Sequence, residues 1–393
     1  MGTARKTAFV TEAFLGSILP LARQYCRNGY AVDIYYLRDS INEPEGCECT
    51  YTPSHNGLAP LPDAALEGIR RFIGGNGGLL NIILVPLPRP FHSVPLLRQI
   101  ASLRITRAIK GIAAHIDRQG YEMVNIVANY DMMRFTDFLR YIKTKTILSL
   151  HEVWNHANPS PEPSRLLACA FRQRTPIVVY SKKSLGDIRH IKGVEMSRVR
   201  FIPFGLFDSY GSITPVKIDN LPTKYFLFYG YILPYKGLDV LAEAVKLLGD
   251  KLHDYKIIIA GRGSDPVLDA VTNDNRYLLL RRFISNNEMP ELIGRAEAVV
   301  CPYHTMSQSG IPQTSFVFRT PVIASDLDGF KEIVTPDNGM LFTVDNAQAL
   351  ADCMEKYINN KQKRVEQAEN IAKFYTLHPQ FSWTEIFKQY KTI

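Results

Sequence analysis

The sequence predicts an α/β fold that contains two doubly wound parallel sheets. In the N-terminal half, short apolar segments rich in β-branched residues alternate with segments of helical periodicity, as expected when helices cover buried parallel strands. After residue 205 the alternation gives way to a stretch rich in Gly, Ser, Asp and Pro, and it then begins again. A chain of 393 residues is long enough for two domains of ordinary size.

In the N-terminal half, the first helix is predicted at Gly16–Asn28, and Gly29 should end it as a C-cap. Two segments interrupt the alternation: a polar loop at Asn42–Pro62 and a glycine-rich turn at Gly74–Gly78. That turn lacks the Lys-Ser/Thr pair of a nucleotide P-loop. The predicted strands are Thr7–Val10, Ala31–Leu37, Leu79–Val85, Met123–Ala128, Thr146–Leu150, Ile177–Tyr180 and Arg198–Ile202.

The C-terminal half repeats this pattern after a predicted linker at residues 206–222. Helices are predicted at Lys236–Leu248, Asn287–Ala296 and Ala347–Asn359. Two sheets of one kind in succession favour two domains that face each other across a cleft. The predicted strands are Tyr225–Tyr229, Tyr255–Ala260, Tyr277–Phe283, Ala298–Cys301 and Pro321–Ala324.

The composition is typical of a cytoplasmic globular protein. Hydrophobic residues make up 46% and charged residues 21% of the chain. No apolar run approaches the ~20 residues that span a bilayer, and the N-terminus lacks the apolar core of a secretory signal. The six cysteines are scattered and only Cys47 and Cys49 are close together. We therefore expect reduced thiols and no metal site.

The charge is distributed unevenly along the chain. Residues 1–205 hold 26 basic and 16 acidic side chains, a net charge of +10, whereas the remainder holds 20 basic and 22 acidic, a net charge of −2. A basic half is typical of proteins that bind nucleic acid, a membrane surface or a phosphorylated substrate, although solvated surface charge gives the same pattern. Nucleic acid is disfavoured, because no recognition motif is present.

A helix predicted at Pro95–Arg118 has one apolar and one basic face. Ile100 and Leu103 fall among the basic side chains, which is typical of helices that lie on a membrane surface. A helix packed on its own sheet is the alternative. The apolar face holds Leu97, Ala101, Ile105, Ala108, Ile109, Ile112 and Ile116, and the basic face holds Arg104, Arg107, Lys110 and Arg118.

Lys236 is the strongest candidate for a catalytic side chain. It follows the strand-end glycine Gly230 in the segment Pro-Tyr-Lys-Gly and precedes a helix. A lysine there can neutralise a diphosphate leaving group, whereas a plain surface lysine is unfavourable near a helix N-terminus. Ser309 and Gly310 follow the strand that ends at Cys301, and small residues ahead of a helix let backbone amides approach a phosphate.

Gly16 and His151 follow predicted strands, at the edge where parallel-sheet proteins place their sites. Gly16 opens the first helix, where a closely bound ligand needs a residue without Cβ, although a turn glycine is an equal explanation. His151 is placed to hydrogen-bond a sugar hydroxyl or a phosphate. The spacing of His151, Glu152 and His156 is not that of a HExxH zinc site, which disfavours a metal.

These segments resemble the retaining GT-B glycosyltransferases of family 4, the glycosyl transferases group 1. The likeness covers nearly the whole chain and is strongest over residues 225–345. It is greatest for a branch with a GYIRPYKGLD segment and a TQSG loop in place of the commoner EGFG. Here these read Gly230-Tyr-Ile-Leu-Pro-Tyr-Lys-Gly-Leu-Asp and Ser307-Gln-Ser-Gly, and Arg282-Phe-Ile-Ser-Asn-Asn-Glu288-Met-Pro matches the branch's RFIPNEEVP.

The resemblance implies a GT-B architecture of two Rossmann-like domains. The acceptor-side domain would be residues 1–205 and the nucleotide-sugar domain residues 223–370, joined by the linker at 206–222. A C-terminal helix at 371–393, which includes Phe381-Ser-Trp383, would cross back to the first domain.

The implied reaction moves a sugar from a nucleotide-diphosphate donor to a carbohydrate or lipid-linked glycan acceptor. The anomeric configuration is retained by front-face displacement without a metal or other cofactor, as in surface-polysaccharide or glycoconjugate synthesis. Peripheral contact with an anionic membrane on its cytoplasmic face would suit such an acceptor. The implied catalytic residues are Lys236 and His151, and the implied donor-binding residues are Gly16, Arg262, Arg282, Phe283, Ile284, Gln308, Ser309, Gly310, Ile311, Thr314 and Glu332.

The sequence departs from the family pattern in its acidic residues. The family's two glutamates, eight positions apart, fall near Met306/Ser307 and at Thr314, so both are absent. Gln313 or Thr314 would then have to hold the ribose diol.

Two basic positions also differ. The branch's arginine before Pro-Tyr-Lys-Gly is Leu233, for which Arg262 could compensate, and Arg319 stands where a glycine is common. A non-catalytic glycosyltransferase-like scaffold is therefore the alternative to an enzyme.

Overall fold

The computed structural model describes residues 5–54, 57–87, 95–130, 132, 134–154, 160–306 and 308–393. The chain divides into two compact units. The first runs to Phe204 and includes Trp383–Ile393, and the second is Gly205–Ser382. Each unit has its own predominantly parallel sheet, which confirms the predicted α/β fold with two parallel sheets.

The strands are short and mostly buried, as the apolar runs predict. The described residues contain sixteen strands: β1 (Arg5–Thr11), β2 (Tyr30–Tyr36), β3 (Ile41–Asn42), β4 (Thr50–Tyr51), β5 (Ala59–Pro60), β6 (Leu80–Leu84), β7 (Met123–Ala128), β8 (Thr146–Leu150), β9 (Ile177–Val179), β10 (Val199–Phe201), β11 (Tyr225–Tyr229), β12 (Lys256–Ala260), β13 (Tyr277–Leu280), β14 (Ala298–Cys301), β15 (Val322–Ser325) and β16 (Gly339–Phe342).

Helices connect most consecutive parallel strands. In the described part of the chain they are α1 (Leu15–Arg27), α2 (Asp63–Ile73), α3 (Pro95–Asp117), α4 (Arg134–Tyr141), α5 (Arg165–Arg172), α6 (Lys182–Ile188), α7 (Leu238–Leu248), α8 (Pro266–Val271), α9 (Met289–Gly294), α10 (Ile311–Val317), α11 (Asp328–Lys331), α12 (Ala347–Asn359), α13 (Lys361–Ala372), α14 (Phe374–Leu377) and α15 (Trp383–Lys391).

The strand order positions the functional edges of the two sheets. In the first unit the order is β10-β9-β8-β7-β1-β2-β6-β5, parallel except for the β5–β6 pair, and in the second it is β13-β12-β11-β14-β15-β16. The order reverses direction beside β1 and beside β11. Ligands of open parallel sheets bind at the carboxyl ends of strands near such switch points.

The helix α3 has the two faces that its sequence predicts. Ile109 and Ile116 are buried in the core of the first unit, whereas Arg107 is exposed on the other side. Ile100 is 40% exposed and Leu103 is 71% exposed beside the basic residues. The predicted core position at Leu97 lies outside the described side chains.

The C-terminal helix α15 packs on the first unit through buried aromatic residues. The Tyr390 hydroxyl lies 3.1 Å from Ser149 Oγ, which donates to Asn125 Oδ1 at 2.8 Å. The Phe387 ring packs edge-on against Tyr25, with 4.9 Å between centroids. These contacts fix the end of the chain against β7 and β8.

Several predicted boundaries are wrong at their ends. The helix predicted from Lys236 begins at Leu238, because Gly237 adopts a left-handed conformation with φ of 69° and separates it from a 3₁₀ turn at Pro234–Lys236. The strand predicted at Tyr277–Phe283 ends at Leu280. The predicted loop at 42–62 contains β4 and β5, and its first residue is the last residue of β3.

Among the helices that the structure describes, none combines the length and the apolar character needed to cross a bilayer.

Candidate active site

Lys236 lies on a turn that is fixed by close backbone packing in the second unit. The strand β11 ends at Tyr229, and the next residue, Gly230, has φ of 113°. Ile232 then forms a parallel bridge with Gly263, beyond the end of β12. A Cβ added to Gly237 would lie 1.9 Å from the carbonyl oxygen of Pro302. Only glycine fits this contact and the left-handed backbone at the same time.

The amine of Lys236 is a buried cation. The residue is 8% exposed, and its Nζ lies 5.2 Å from the centroid of the Tyr303 ring. A Cβ on Gly230 would stand 3.3 Å from Nζ, so the glycine leaves room beside the amine. Burial lowers the pKa of Lys236 from its ordinary value. Within the described residues no carboxylate forms an ion pair with this amine, which leaves it available to an anionic ligand.

The start of α10 lies beside this amine. Ile311 Cδ1 is 3.6 Å from the Cβ position of Gly230, the same position that Nζ approaches. Ser309 Oγ accepts a hydrogen bond from the Ile311 amide at 3.2 Å, so that amide is already satisfied. Gly310 packs against Phe207, whose ring atom would be 2.6 Å from an added Cβ. Gln308, Ser309 and Gly310 are half-buried.

Gln313 and Thr314 occupy the buried side of α10. The Thr314 hydroxyl donates to the Gly310 carbonyl at 3.0 Å, which satisfies it within the helix. In contrast, Gln313 is 5% exposed and its Oε1 is shielded from solvent with no hydrogen-bond partner in the described part of the chain. A buried acceptor of this kind is costly unless a ligand completes it.

A second cluster of predicted residues follows β12 and β13. The Arg262 guanidinium lies 4.9 Å from the centroid of the Phe283 ring, which is 46% exposed. Arg282 donates to both carboxylate oxygens of Glu288, at 2.8 and 2.6 Å. These hydrogen bonds lower the pKa of Glu288 to about 2. Ile284 is half-buried in the loop that the ion pair shapes.

Hydrogen bonds between backbones connect the two clusters. The amide of Ile232 donates to the Arg262 carbonyl at 2.6 Å. The structure therefore places the predicted residues of β11, β12 and β13 along one edge of the sheet. Glu332 is half-buried at the end of α11, and no described contact joins it to Lys236.

His151 lies in an aromatic cluster at the carboxyl edge of the first sheet. Its ring stacks on Phe14 with 3.7 Å between centroids and contacts Tyr180 and Phe204 at 5.1 and 5.0 Å. Burial lowers the pKa of His151 to about 3, so the imidazole is neutral near pH 7. Its Nε2 is shielded and has no partner among the described residues. A neutral imidazole with a free nitrogen is suited to hydrogen-bond a polar ligand.

Gly16 lies in the first turn of α1, as predicted, and is buried. Phe14 precedes that helix with φ of 68°, an uncommon conformation for a bulky residue. This conformation presents the Phe14 ring to His151. Phe14, Tyr180 and Tyr303 were not predicted from the sequence, because each acts by contact with a residue distant in the chain. Their position directly after strands, or before a helix, was the only available signal.

Across the residues that the structure describes, His, Cys, Asp and Glu side chains nowhere gather in a group of three or more that could hold a metal ion. His156 and Ser307, which the sequence analysis singled out, lie outside the described residues.

Comparison with protein families finds a match in the second unit. Residues 215–374 match the family of glycosyl transferases group 1. Among curated proteins, the chain is 28% identical over 184 residues to the D-inositol 3-phosphate glycosyltransferase of Corynebacterium aurimucosum, covering 44% of this chain and 43% of that protein. It is 29% identical over 177 residues to the phosphatidyl-myo-inositol mannosyltransferase of Mycolicibacterium smegmatis, covering 42% and 45%. The chain thus spans less than half the length of these relatives.

Solved structures resemble the whole chain. HepE of Anabaena, crystallised with UDP and glucose, has a TM-score of 0.65 at 15% identity and covers 99% of this chain and 98% of its own. Sucrose-phosphate synthase of Thermosynechococcus elongatus has a TM-score of 0.66 at 14% identity, with the same coverage. At this identity the likeness shows the fold. Residues 215–374 therefore match the glycosyl transferases group 1 family, and the fold of the chain is the GT-B fold of its structural neighbours.

Proposed function

We propose that the protein is an enzyme that transfers a hexosyl group from a nucleotide-diphosphate donor to a carbohydrate or lipid-linked glycan acceptor. The observation that carries this proposal is the buried amine of Lys236. A cation held away from water without a carboxylate partner is unfavourable until an anion completes the site. The diphosphate of the donor is that anion.

Lys236 stabilises the pyrophosphate as the bond to the sugar breaks. Negative charge grows on the leaving oxygen in the transition state, and a fixed cation in a partly dehydrated site is most effective there. Retention of configuration follows if the leaving phosphate accepts the acceptor proton on the same face of the sugar. This route uses no carboxylate nucleophile and no metal or other cofactor.

The remaining predicted residues orient the donor. Gln313 Oε1 accepts from the ribose hydroxyls in place of the absent family glutamate, which is supported by its burial without a described partner. The nucleobase binds at the loop Arg282–Ile284, and Arg262 supplies the second cation that Leu233 does not. Gln308, Ser309 and Gly310, which precede α10, line the phosphates together with Ile311, its first residue.

His151 binds the donor sugar. Because its imidazole is neutral, it donates or accepts one hydrogen bond to a sugar hydroxyl without adding charge. Gly16 lets the diphosphate approach the first turn of α1. Glu332 contributes to the same donor site from the end of α11.

The acceptor is held at an anionic membrane surface that α3 contacts. The support is the exposure of Ile100 and Leu103 beside Arg104 and Arg107, since apolar and basic side chains together bind anionic bilayers. Cosedimentation with vesicles of neutral lipid, and of the same lipid with anionic lipid added, tests this. We expect anionic lipid to increase binding and the double variant Leu103→Ser, Arg107→Gln to reduce it. Equal binding to vesicles with and without anionic lipid would contradict the proposal.

The test of the activity is release of nucleotide from nucleotide sugars. The purified protein is incubated with UDP-glucose, UDP-galactose, GDP-mannose and related donors, with and without glycan acceptors, and free nucleotide is measured. UDP-sugars are tested first, because the structural neighbour HepE has been crystallised with UDP-glucose. We expect one donor to be used and Lys236→Ala to reduce the rate by about 10²-fold or more. Lys246→Ala, an exposed lysine on α7, should leave the rate unchanged.

A non-catalytic scaffold is the alternative function. It predicts no nucleotide release from any donor, and it predicts that Lys236→Ala retains binding of protein partners. Turnover that survives Lys236→Ala would contradict the proposed role of this residue, although the protein would still be an enzyme.

A further inference from the structure

His304 joins three segments of the second unit at the turn that carries Lys236. Its backbone amide donates to the Tyr235 carbonyl at 2.9 Å. Its Nε2 lies 2.9 Å from Asp239 Oδ1, in the first turn of α7, and its Nδ1 lies 2.5 Å from Asp345 Oδ1, in the loop after β16. His304 therefore contacts the Lys236 turn through its backbone, and its ring connects the start of α7 to the loop after β16.

The two contacts require a charged imidazole. A neutral histidine has one N–H and one lone pair, so it can donate to only one carboxylate. Donation to Asp239 and Asp345 together needs protons on both ring nitrogens. Partial burial lowers the pKa of His304, but the hydrogen bonds and charges of Asp345 and Asp239 outweigh burial, and the net shift is upward. These are the two charged groups that face the ring among the described residues.

We propose that His304 is a positioning residue whose imidazolium holds the Lys236 turn against the end of β14, so that affinity for a nucleoside diphosphate depends on the protonation of His304. This inference rests on the proposed function, because the ligand of Lys236 is taken to be the diphosphate. The mechanical link is short: Tyr235 is bonded to the His304 amide, and Gly237 packs under the Pro302 carbonyl. Loss of the charged contacts releases one side of the turn and lets the amine move away from Gly230.

The sign of the pH effect follows from the charged state. The two contacts are complete when His304 is protonated, at pH values below its raised pKa, and one is lost as the pH rises through that pKa. Each contact is partly exposed, so the effect is modest. Ion pairs of this exposure correspond to about two- to fivefold in an equilibrium constant.

The test measures the affinity of the protein for UDP and for GDP, in separate experiments, by titration calorimetry at pH 6.0 and pH 8.5. We expect the wild type to bind one of them about two- to fivefold more tightly than His304→Gln at pH 6.0, and with similar affinity at pH 8.5. The ratio of the wild-type affinity to the His304→Gln affinity at one pH cancels the titration of the nucleotide's own phosphate. His253→Asn is the matched control, since His253 is exposed in the same unit with φ of 50° and Asn tolerates that backbone.

Asp345→Asn separates the charge from the contact. Asp345 has φ of 60°, which Asn also adopts readily, so the variant keeps the backbone and a hydrogen-bonding group. NMR titration of the histidine ring protons, with His304 assigned from its loss in His304→Gln, should show a lower pKa for His304 in this variant. The pH at which nucleotide affinity falls should decrease with it.

An affinity ratio that is the same at both pH values, or an unmoved pKa in Asp345→Asn, would overturn the inference and leave the proposed function standing. Failure of wild-type protein to bind either nucleotide at either pH would overturn the proposed function, and the inference with it.

Discussion

The carbonyl oxygen of Pro302 occupies the place where a side chain on Gly237 would lie. A Cβ at that position would be 1.9 Å from the oxygen, and Gly237 has φ of 69°. This contact seats the Lys236 turn on the end of β14 and lets α7 begin at the next residue. The position of the proposed catalytic amine therefore depends on a residue that bears no side chain.

Gly237→Ala should destabilise the protein and displace Lys236. The added methyl group meets a fixed backbone oxygen and the left-handed conformation disfavours alanine, so we expect the free energy of unfolding to fall by at least about 2 kcal/mol. Urea unfolding measures it. Gly249→Ala is the control, because Gly249 has φ of 49° but open space around it, and it should cost only about 1 kcal/mol. Equal losses would contradict the role of the Pro302 contact.

Lys236→Met should make the ligand-free protein more stable while it abolishes nucleotide binding. Burial of an unpaired cation opposes folding, and a methionine of similar length removes that cost, by about 1 kcal/mol at pH 7. Because the folded-state pKa lies below the ordinary 10.5, the unfolded chain binds the proton more tightly. The destabilisation of the folded protein by the buried cation is complete at neutral pH and declines as the pH rises towards 10.5.

Thermal unfolding of wild type and Lys236→Met at pH 7 and pH 10, with and without UDP, measures both effects. Lys246→Met, on the exposed face of α7, should change stability by less than about 0.5 kcal/mol. A Lys236→Met protein that is less stable than wild type at pH 7 would show that the amine already has a compensating partner.

His151→Gln should reduce the sensitivity of the fold to acid. The pKa of His151 is about 3 in the folded protein and 6.5 in its ordinary state. The unfolded chain therefore binds the additional proton between these values, and stability falls as the pH drops from 6.5 towards 3. The loss is at most about 1.4 kcal/mol per pH unit, and it should be absent in the variant. His190→Gln, an exposed residue of the same unit, should keep the wild-type slope.

Arg319→Gly should stabilise the protein. Arg319 has φ of 58° at the end of α10, where glycine adopts the same conformation without strain. We expect a gain of up to about 1 kcal/mol in the free energy of unfolding, measured in urea, and no gain for Arg319→Ala. A loss of stability in Arg319→Gly would mean that the arginine side chain makes a contact worth more than the strain.

The strands were the most predictable part of the fold. Tyr225–Tyr229, Thr146–Leu150 and Met123–Ala128 begin and end where the sequence predicts, because strands covered on both faces are continuous apolar runs. In contrast, β16 was not predicted: it is an edge strand of four residues that starts with glycine after a turn. Edge strands are covered less completely, so their sequences carry a weaker signal.

The candidate site was predictable where its chemistry is local. Lys236 is marked by the glycines and proline around it, within eight residues of the strand end. The sequence does not explain why glycine is common at the position of Arg319. The left-handed backbone at this position explains it. His304 was assigned no role from the sequence, because its partners Asp239 and Asp345 are 65 and 41 residues away. The aromatic contacts of His151 were equally invisible.

The most direct measurement is a crystal structure of the protein with the nucleoside diphosphate that raises its melting temperature most. We expect a phosphate oxygen within about 3 Å of Lys236 Nζ, with the base near Phe283. A nucleotide bound elsewhere, with the amine of Lys236 still enclosed beneath Tyr303 and empty of phosphate, would contradict this expectation.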